Sequence, residues 1–156
     1  MRRRHLPVLA GFFVLALGCS NEPYQVGQVS GRISVDGKPV EKAAIMFQPV
    51  ARNGNINPGP GSYGITDAEG RYTLTLIGVE KKGAAVGLHK VRVENYTPPG
   101  DPHDDRPRKI AKPAIPIPGW YSRIDAILEF EVKSGNNEAD FPLSSTPPSG
   151  KPAAGK

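Results

Sequence analysis

The fold of this chain is decided by the stretch Thr66-Asp67-Ala68-Glu69-Gly70-Arg71-Tyr72-Thr73-Leu74-Thr75-Leu76. Its second half places a large apolar residue at every other position, namely Tyr72, Leu74 and Leu76. This two-residue period is typical of a strand with one buried face. Before the strand, Asp67 can accept hydrogen bonds from the backbone of a turn, and Gly70 suits a turn position with positive φ. The stretch therefore predicts a tight turn that leads into a half-buried strand.

The same two-residue apolar period recurs along the chain, in residues 28–35, 43–48, 63–65, 89–94, 128–133 and 141–143. Asp36-Gly37 follows the first of these segments and favours a turn between strands. Beyond the N-terminal segment, no window shows the 3.6-residue apolar period of a helix. We therefore predict an all-β fold, a single antiparallel β-sandwich of about seven strands with almost no helix.

The N-terminus has the organisation of a secretory signal. Basic residues 2–4 precede an apolar stretch over residues 6–17, and small Gly18 precedes Cys19, the one cysteine of the chain. The segment Leu15-Ala16-Leu17-Gly18-Cys19 resembles the lipobox of bacterial lipoproteins, although that box usually carries Leu where this chain has Ala16. The resemblance implies a signal peptide over residues 1–18 and acyl chains such as palmitate on Cys19. It also implies a lipidated tether over residues 19–25, and Ser20 favours the outer membrane.

Two other interpretations of this terminus remain open. An ordinary secretory signal could be cut near Gly18, which would leave Cys19 as a free thiol in an oxidising compartment. A transmembrane anchor is the second alternative, but residues 6–17 are fewer than the roughly 20 that a spanning helix needs. The lipid anchor accounts for the charge, the apolar length and the cysteine together. It predicts a protein in the cell envelope, bound to a membrane at the outer-membrane or periplasmic face.

The basic net charge comes from the two ends of the chain. The full sequence has 20 Lys and Arg against 15 Asp and Glu, a net charge of +5. Removal of the three arginines at positions 2–4 and the two lysines at 151 and 156 leaves 20 − 3 − 2 = 15 cations against the same 15 anions. A neutral domain offers no basic face to a polyanion, so we expect no nucleic-acid partner.

The strand-like alternation of apolar and polar residues covers residues 26–143, a length that corresponds to one domain. Residues 144–156 contain no large apolar side chain, which predicts a disordered C-terminal tail. Inside the domain, residues 97–123 form a long proline-rich connection with a charged run from Asp101 to Lys112. Connections of this length in a compact domain are commonly functional or partly disordered.

Several motifs, in this order, resemble the carboxypeptidase regulatory-like domains. The specific ones are the turn Asp36-Gly37-Lys38-Pro39-Val40 and the hairpin Thr66-Asp67-Ala68-Glu69-Gly70-Arg71-Tyr72-Thr73-Leu74. Two later stretches, Gly87-Leu88-His89-Lys90-Val91 and Pro118-Gly119-Trp120-Tyr121, are similar to a bacterial branch of small lipoproteins with this domain. The resemblance spans residues 26–143. It implies a transthyretin-like (prealbumin-like) sandwich of Ig-like architecture, without catalytic activity or cofactor, that serves as a stability, surface or interaction module.

Catalytic and metal-binding patterns are weak in this sequence. Asp67 and Glu69 flank a turn, but a calcium loop needs more oxygen ligands than these two carboxylates. The residues of metal-ligating type that cluster are Asp101, His103, Asp104 and Asp105, and arginines and lysines surround them. We interpret that cluster as a solvated, charged loop. No nucleophile-elbow, zincin or phosphate-loop motif occurs, so we predict no enzyme and no metal site.

Trp120 and Tyr121 are the remaining candidates for contact with a ligand or partner. Exposed on the stiffened loop, the two rings could form a platform for a polysaccharide or an envelope protein. Folded back with Ile115 and Ile117, they would instead plug one end of the sandwich, which we favour. The sequence thus predicts a non-catalytic, lipid-anchored envelope module with a structural or protein-interaction role. A carbohydrate-binding domain is the alternative, and an accessory chain to a separately encoded hydrolase is a third.

The first prediction follows from the lipid anchor. Because acyl chains on Cys19 would hold the protein in the membrane, Cys19→Ser should leave unprocessed precursor or release the protein into the aqueous phase. Detergent phase partition of both variants measures this. A wild-type protein that partitions into the aqueous phase would contradict the lipid assignment.

Overall fold

The computed structural model describes residues 23–52, 56–99, 112–123 and 128–147. Within these ranges the chain forms eleven strands and one turn of 3-10 helix, Gly119–Tyr121. The strands are β1 (Val26–Val35), β2 (Lys38–Pro39), β3 (Ala43–Pro49), β4 (Ser62–Ile65), β5 (Arg71–Thr73), β6 (Thr75–Leu76), β7 (Ala84–Ala85), β8 (Gly87–Asn95), β9 (Leu128–Val132), β10 (Asn136–Glu138) and β11 (Phe141–Leu143). The prediction of an all-β fold with almost no helix is confirmed for the described part of the chain.

Strand β1 is the centre of the first sheet. It pairs antiparallel with β2, β5 and β7, and parallel with β10 and β11. Ser30 is paired with both Thr73 of β5 and Glu138 of β10, so those two strands lie on opposite edges of β1. The parallel pairings depart from the antiparallel pattern that we expected. They arise because β9 belongs to the other sheet, and the chain crosses over before it returns along β1.

The second sheet has the order β6-β4-β3-β8-β9, and all of its pairings are antiparallel. Its inner face packs against the inner face of the first sheet in one hydrophobic core. Phe47 of β3, for example, meets the ring of Phe141 of β11 edge-on, with ring centroids 6.1 Å apart. Two sheets that share a core in this way are consistent with a β-sandwich.

The seven segments with a two-residue period correspond to β1, β3, β4, β5 with β6, β8, β9 and β11. The further strands β2, β7 and β10 have only two or three residues each. None of these strands alternates large apolar with polar residues, since their sequences are Lys-Pro, Ala-Ala and Asn-Asn-Glu. The count of eleven exceeds the predicted seven by these three strands and by the division of one predicted segment into β5 and β6.

The turn before β5 has the geometry that its residues favour. Asp67 Oδ1 accepts hydrogen bonds from the backbone N–H of Glu69 at 3.0 Å and of Arg71 at 2.8 Å. Gly70 has φ +73°, and a Cβ built there would lie 2.5 Å from the carbonyl oxygen of Ile33. The carbonyl of Gly70 in turn accepts a bond of 2.8 Å from the N–H of Ile33. This turn thus docks directly on β1.

The hairpin between β1 and β2 turns at Asp36 and Gly37, which have φ +49° and +79°. Two successive positive φ values are those of a type I′ turn, whose twist matches that of the flanking strands. Asp36 Oδ1 also accepts a 3.0 Å hydrogen bond from the N–H of Ser145. Hydrogen bonds from Ser145, first from its side chain and then from its backbone N–H, lower the pKa of the Asp36 carboxyl, because they favour the charged form.

The tail that we expect to be disordered starts at Ser144, yet its first residues contact the domain. Ser144 donates its N–H to the hydroxyl of Tyr121 at 3.1 Å, and Ser145 is bound to Asp36. The domain therefore extends past residue 143 to at least Ser145. Residues 148–156 of the predicted tail lie outside the described residues.

The second prediction follows from the docking of the Gly70 turn on β1, and Gly37 is its matched control. Both glycines have positive φ, but a Cβ at Gly37 would meet nothing within 4 Å. Gly37→Ala should therefore cost only the backbone strain of about 1–2 kcal/mol. Gly70→Ala should lower the free energy of unfolding further, by roughly 2–4 kcal/mol in total, because it adds overpacking against Ile33. Chemical denaturation compares the two variants, and equal losses would contradict the docking of this turn on β1.

Candidate functional site

The structure places Trp120 and Tyr121 on the short 3-10 helix Gly119–Tyr121, against the core. Tyr121 is 6% exposed, and its hydroxyl accepts the N–H of Ser144. Trp120 is half-buried, with its ring centroid 5.9 Å from that of Tyr121 and its Nε1 enclosed without a hydrogen-bond partner among the described residues. A sugar platform needs open ring faces, and here only part of Trp120 offers one. The pair therefore packs against the core, as expected if it plugs the sandwich.

Asn95, at the end of β8, fixes the segment that carries these aromatics. Its Nδ2 donates to the carbonyl of Ile115 at 3.1 Å, and its Oδ1 accepts the N–H of Ile117 at 2.8 Å. One side-chain amide thus satisfies a donor and an acceptor of an otherwise irregular segment. The motif Asn95-Tyr96-Thr97 has the form of a glycosylation acceptor, and nothing in it indicates this structural role.

His89 lies inside the core on β8 and is fully buried. Its Nδ1 is 3.0 Å from the carbonyl of Gly87, and its ring centroid is 5.6 Å from that of Phe47. Burial lowers the pKa of His89, because the charged ring would lose its hydration. An imidazole enclosed in the core in this way is a structural group. No group of three or more potential metal ligands occurs in the described ranges.

A groove lies on the outer face of the second sheet, where sequence analysis placed no site. It has a volume of about 620 Å³, and strands β3, β4 and β8 form its floor. We call it the outer-face groove. Its floor residues are Ala44, Met46, Tyr63, Ile65, Arg92 and Glu94.

Strand β4 supplies the apolar part of the outer-face groove, because its pattern is inverted. Its inward positions hold Ser62 and Gly64, whereas Tyr63 and Ile65 point outward and are 47% and 40% exposed. Ile77, 45% exposed, adds to the same rim. Two apolar residues two positions apart therefore marked the exposed face of this strand. The small residues that alternate with them, Ser62 and Gly64, were the sequence signal for this orientation.

The charged residues of the outer-face groove lie on β8. Arg92 donates a hydrogen bond of 2.8 Å to Met46 Sδ, so the two side chains are in contact. Glu94 is exposed on the same strand. In the part of the chain that the structure describes, the ion pair found is Glu41–Lys42, so neither Arg92 nor Glu94 has an oppositely charged partner there. The groove thus combines an apolar floor with one cation and one anion at its side.

The outer face of the first sheet is different. A shallow depression there is lined by polar side chains of β1, β5 and β10, including Arg32, Arg71 and Asn137. Asp140 Oδ1 accepts the backbone N–H of Arg32 at 2.7 Å. The one large apolar ring beside it, that of Tyr72, is buried and points inward. The two outer faces of the molecule therefore differ in kind, one apolar and one polar.

Other predicted residues lie outside the described residues. They are Cys19 with the signal peptide 1–18, and the cluster Asp101, His103, Asp104 and Asp105. The tether predicted over residues 19–25 is described from Pro23 onward. No helix among the described residues is long and apolar enough to span a membrane.

The aromatic pair makes a third prediction. Because Trp120 is packed against the core, Trp120→Ala should lower the free energy of unfolding by about 2–3 kcal/mol, somewhat less than for a fully buried ring. Chemical denaturation measures the loss, and Trp120 fluorescence should be blue-shifted and poorly quenched by iodide. A stable Trp120→Ala variant that loses retention on insoluble polysaccharide would contradict the plug and favour the sugar platform.

Comparison of the chain with models of known protein families, with curated proteins and with solved structures found no match. The resemblance to carboxypeptidase regulatory-like domains therefore stays a prediction from the motifs around Asp36 and Gly70. The geometry of the groove and of the aromatic plug is what bears on function.

Proposed function

We propose that this chain is a non-catalytic, lipid-anchored module of the bacterial cell envelope that binds a protein through the outer-face groove. The observation that carries the proposal is the exposure of Tyr63, Ile65 and Ile77 beside one another on a sheet face. Contiguous apolar surface of this kind on a soluble domain commonly marks an interaction site. The assignment to a transthyretin-like, carboxypeptidase regulatory-like module is part of this proposal and rests on the sequence motifs.

The chemistry of the groove favours a protein over a sugar as the partner. Aliphatic and thioether side chains such as Ile65 and Met46 bury well against apolar protein side chains, but they offer no hydrogen bonds to hydroxyl groups. The aromatic pair that could stack on a sugar is largely closed, since Tyr121 is buried. We therefore place the contact with an envelope protein at the groove and assign Trp120 and Tyr121 to stability.

A non-catalytic role agrees with the environment of the titratable groups. His89 is enclosed in the core, where it cannot exchange a proton with a bound ligand. The groove contains one cation, Arg92, and one anion, Glu94, on successive outward positions of β8. This arrangement suits recognition, because fixed charges beside an apolar floor orient a partner.

The proposed anchor would keep the domain close to the membrane. Gln25 is already part of the fold, since its carbonyl accepts the N–H of Val86 at 2.8 Å. From Cys19 to Tyr24, an extended chain spans at most about 18 Å, at roughly 3.6 Å per residue. The sandwich would therefore meet its partner at the membrane surface, where lateral confinement favours weak contacts.

A site-specific photocrosslinker tests the interaction. Replacement of Tyr63 by a photoreactive phenylalanine analogue places the probe in the groove, and the same replacement of Arg71 places it on the polar face. In illuminated native envelopes we expect covalent adducts with protein from position 63 and few from position 71. Adducts that are absent at 63, or equally abundant at 71, would count against the groove as the binding surface.

A further inference from the structure

We propose that the partner of the outer-face groove is a second copy of this chain, bound face to face about a two-fold axis. This inference rests on the proposed function, since it names the protein that the groove binds. It follows from the register of strands β4, β3 and β8, which makes the groove floor complementary to itself.

Two rows of paired residues form that floor. The first row runs Ile65, Ala44, Glu94 across β4, β3 and β8. The second row runs Tyr63, Met46, Arg92 across the same three strands. Between them lies a row of inward-facing residues, which consists of Gly64, Ile45 and Val93.

An axis in the plane between two such faces, running across the strands above Ile45, exchanges the two rows. After this rotation, each residue of one row faces a residue of the second copy. The two residues belong to the same strand, but one lies in the first row and the other in the second row. Tyr63 then faces Ile65, Met46 faces Ala44, and Arg92 faces Glu94. Every contact occurs twice, as an isologous interface requires.

Each of these contacts is favourable in kind. The long Met46 side chain meets the small Ala44, so the two faces can interdigitate. Arg92 meets Glu94, and both are charges without an oppositely charged partner among the described residues of the single chain. One step further out, Lys90 of β8 would face Tyr96, the residue that follows β8 in the second copy, which places a cation over an aromatic ring. An unrelated partner would have to supply this alternation of size and charge by coincidence, whereas a second copy supplies it by symmetry.

The apolar part of the floor is small compared with a standard interface, which buries about 800 Å² on each partner. We therefore expect self-association that is weak in free solution. It becomes significant where both copies are held on one membrane, because confinement raises the effective concentration. The test in solution must accordingly cover high protein concentrations.

Charge reversal tests the axis. In the unlipidated chain from Ser20 to Lys156, sedimentation equilibrium should show a monomer–dimer equilibrium for the wild type. Arg92→Glu and Glu94→Arg should each weaken dimerisation at least tenfold, because each puts two like-charged pairs into the interface. The double variant R92E/E94R should restore dimerisation to within about threefold of the wild type. Arg71→Glu, a matched reversal on the polar face, should have no effect.

A size exchange tests the same axis independently of charge. Ala44→Met should weaken dimerisation at least tenfold, since two methionines would then meet across the axis. The double variant A44M/M46A exchanges the large and small positions and should restore it. Thermal unfolding of each variant under dilute conditions identifies any that fail to fold. If a variant of one set fails to fold, the other set of variants tests the axis.

Three results would overturn this inference. They are a wild-type chain that stays monomeric at all concentrations, a folded double variant that fails to regain dimerisation in both cycles, or loss of the dimer in Arg71→Glu. Crosslinking from position 63 distinguishes failure of this inference from failure of the proposed function. An adduct at twice the mass of the chain supports self-association, and an adduct with another protein leaves the proposed function standing while refuting the second copy.

Discussion

The close approach of the chain to Gly31, in the middle of β1, is the contact on which the rest of the structure depends. A Cβ at this position would collide with the carbonyl of Ala139, which lies directly against the strand. Ala139 also donates its N–H to the carbonyl of Ser30 at 2.8 Å and accepts the hydroxyl proton of Tyr72 at 2.5 Å. Because burial raises the pKa of Tyr72, that hydroxyl stays protonated and remains a donor. The contact brings β10 and β11 onto β1, and thereby carries Phe141 into the core.

The inward faces of the long strands were predictable because burial and alternation agree there. In β3 and β8, residues such as Phe47 and Val91 lie on the expected side and are fully buried. The parallel pairing of β1 with β10 and β11 was not predictable. It depends on where the chain re-enters the first sheet after β9, and a residue period carries no information on strand direction.

The candidate site was less predictable than the fold, because its parts meet only through tertiary contacts. Trp120 and Tyr121 stood out by composition, but their packing depends on Asn95, whose amide bonds the backbone 20 and 22 residues away. The groove requires the register of three strands at once, since Met46 is opposite Tyr63 on one side and Arg92 on the other. No local window contains these three residues. What the sequence did contain was the inversion of β4, small residues inward and large ones outward.

The inversion of β4 follows from packing, because the core constrains the inward positions of this strand and leaves its outward positions unconstrained. A Cβ on Gly64 would lie 2.8 Å from the carbonyl of Thr73, so the chain crossing beneath β4 excludes a large side chain there. The core therefore fixes only the inward positions of this strand. Tyr63 and Ile65 point away from it, and polar residues with strand propensity, such as Thr, would satisfy the sheet equally well at those positions. Tyr63 and Ile65 are 47% and 40% exposed, so in the isolated domain a substantial part of each side chain stays in water and contributes no burial. A partner surface that covers them would remove the remaining part from water, and this is the physical basis of our proposal that the outer face of the second sheet is a binding surface.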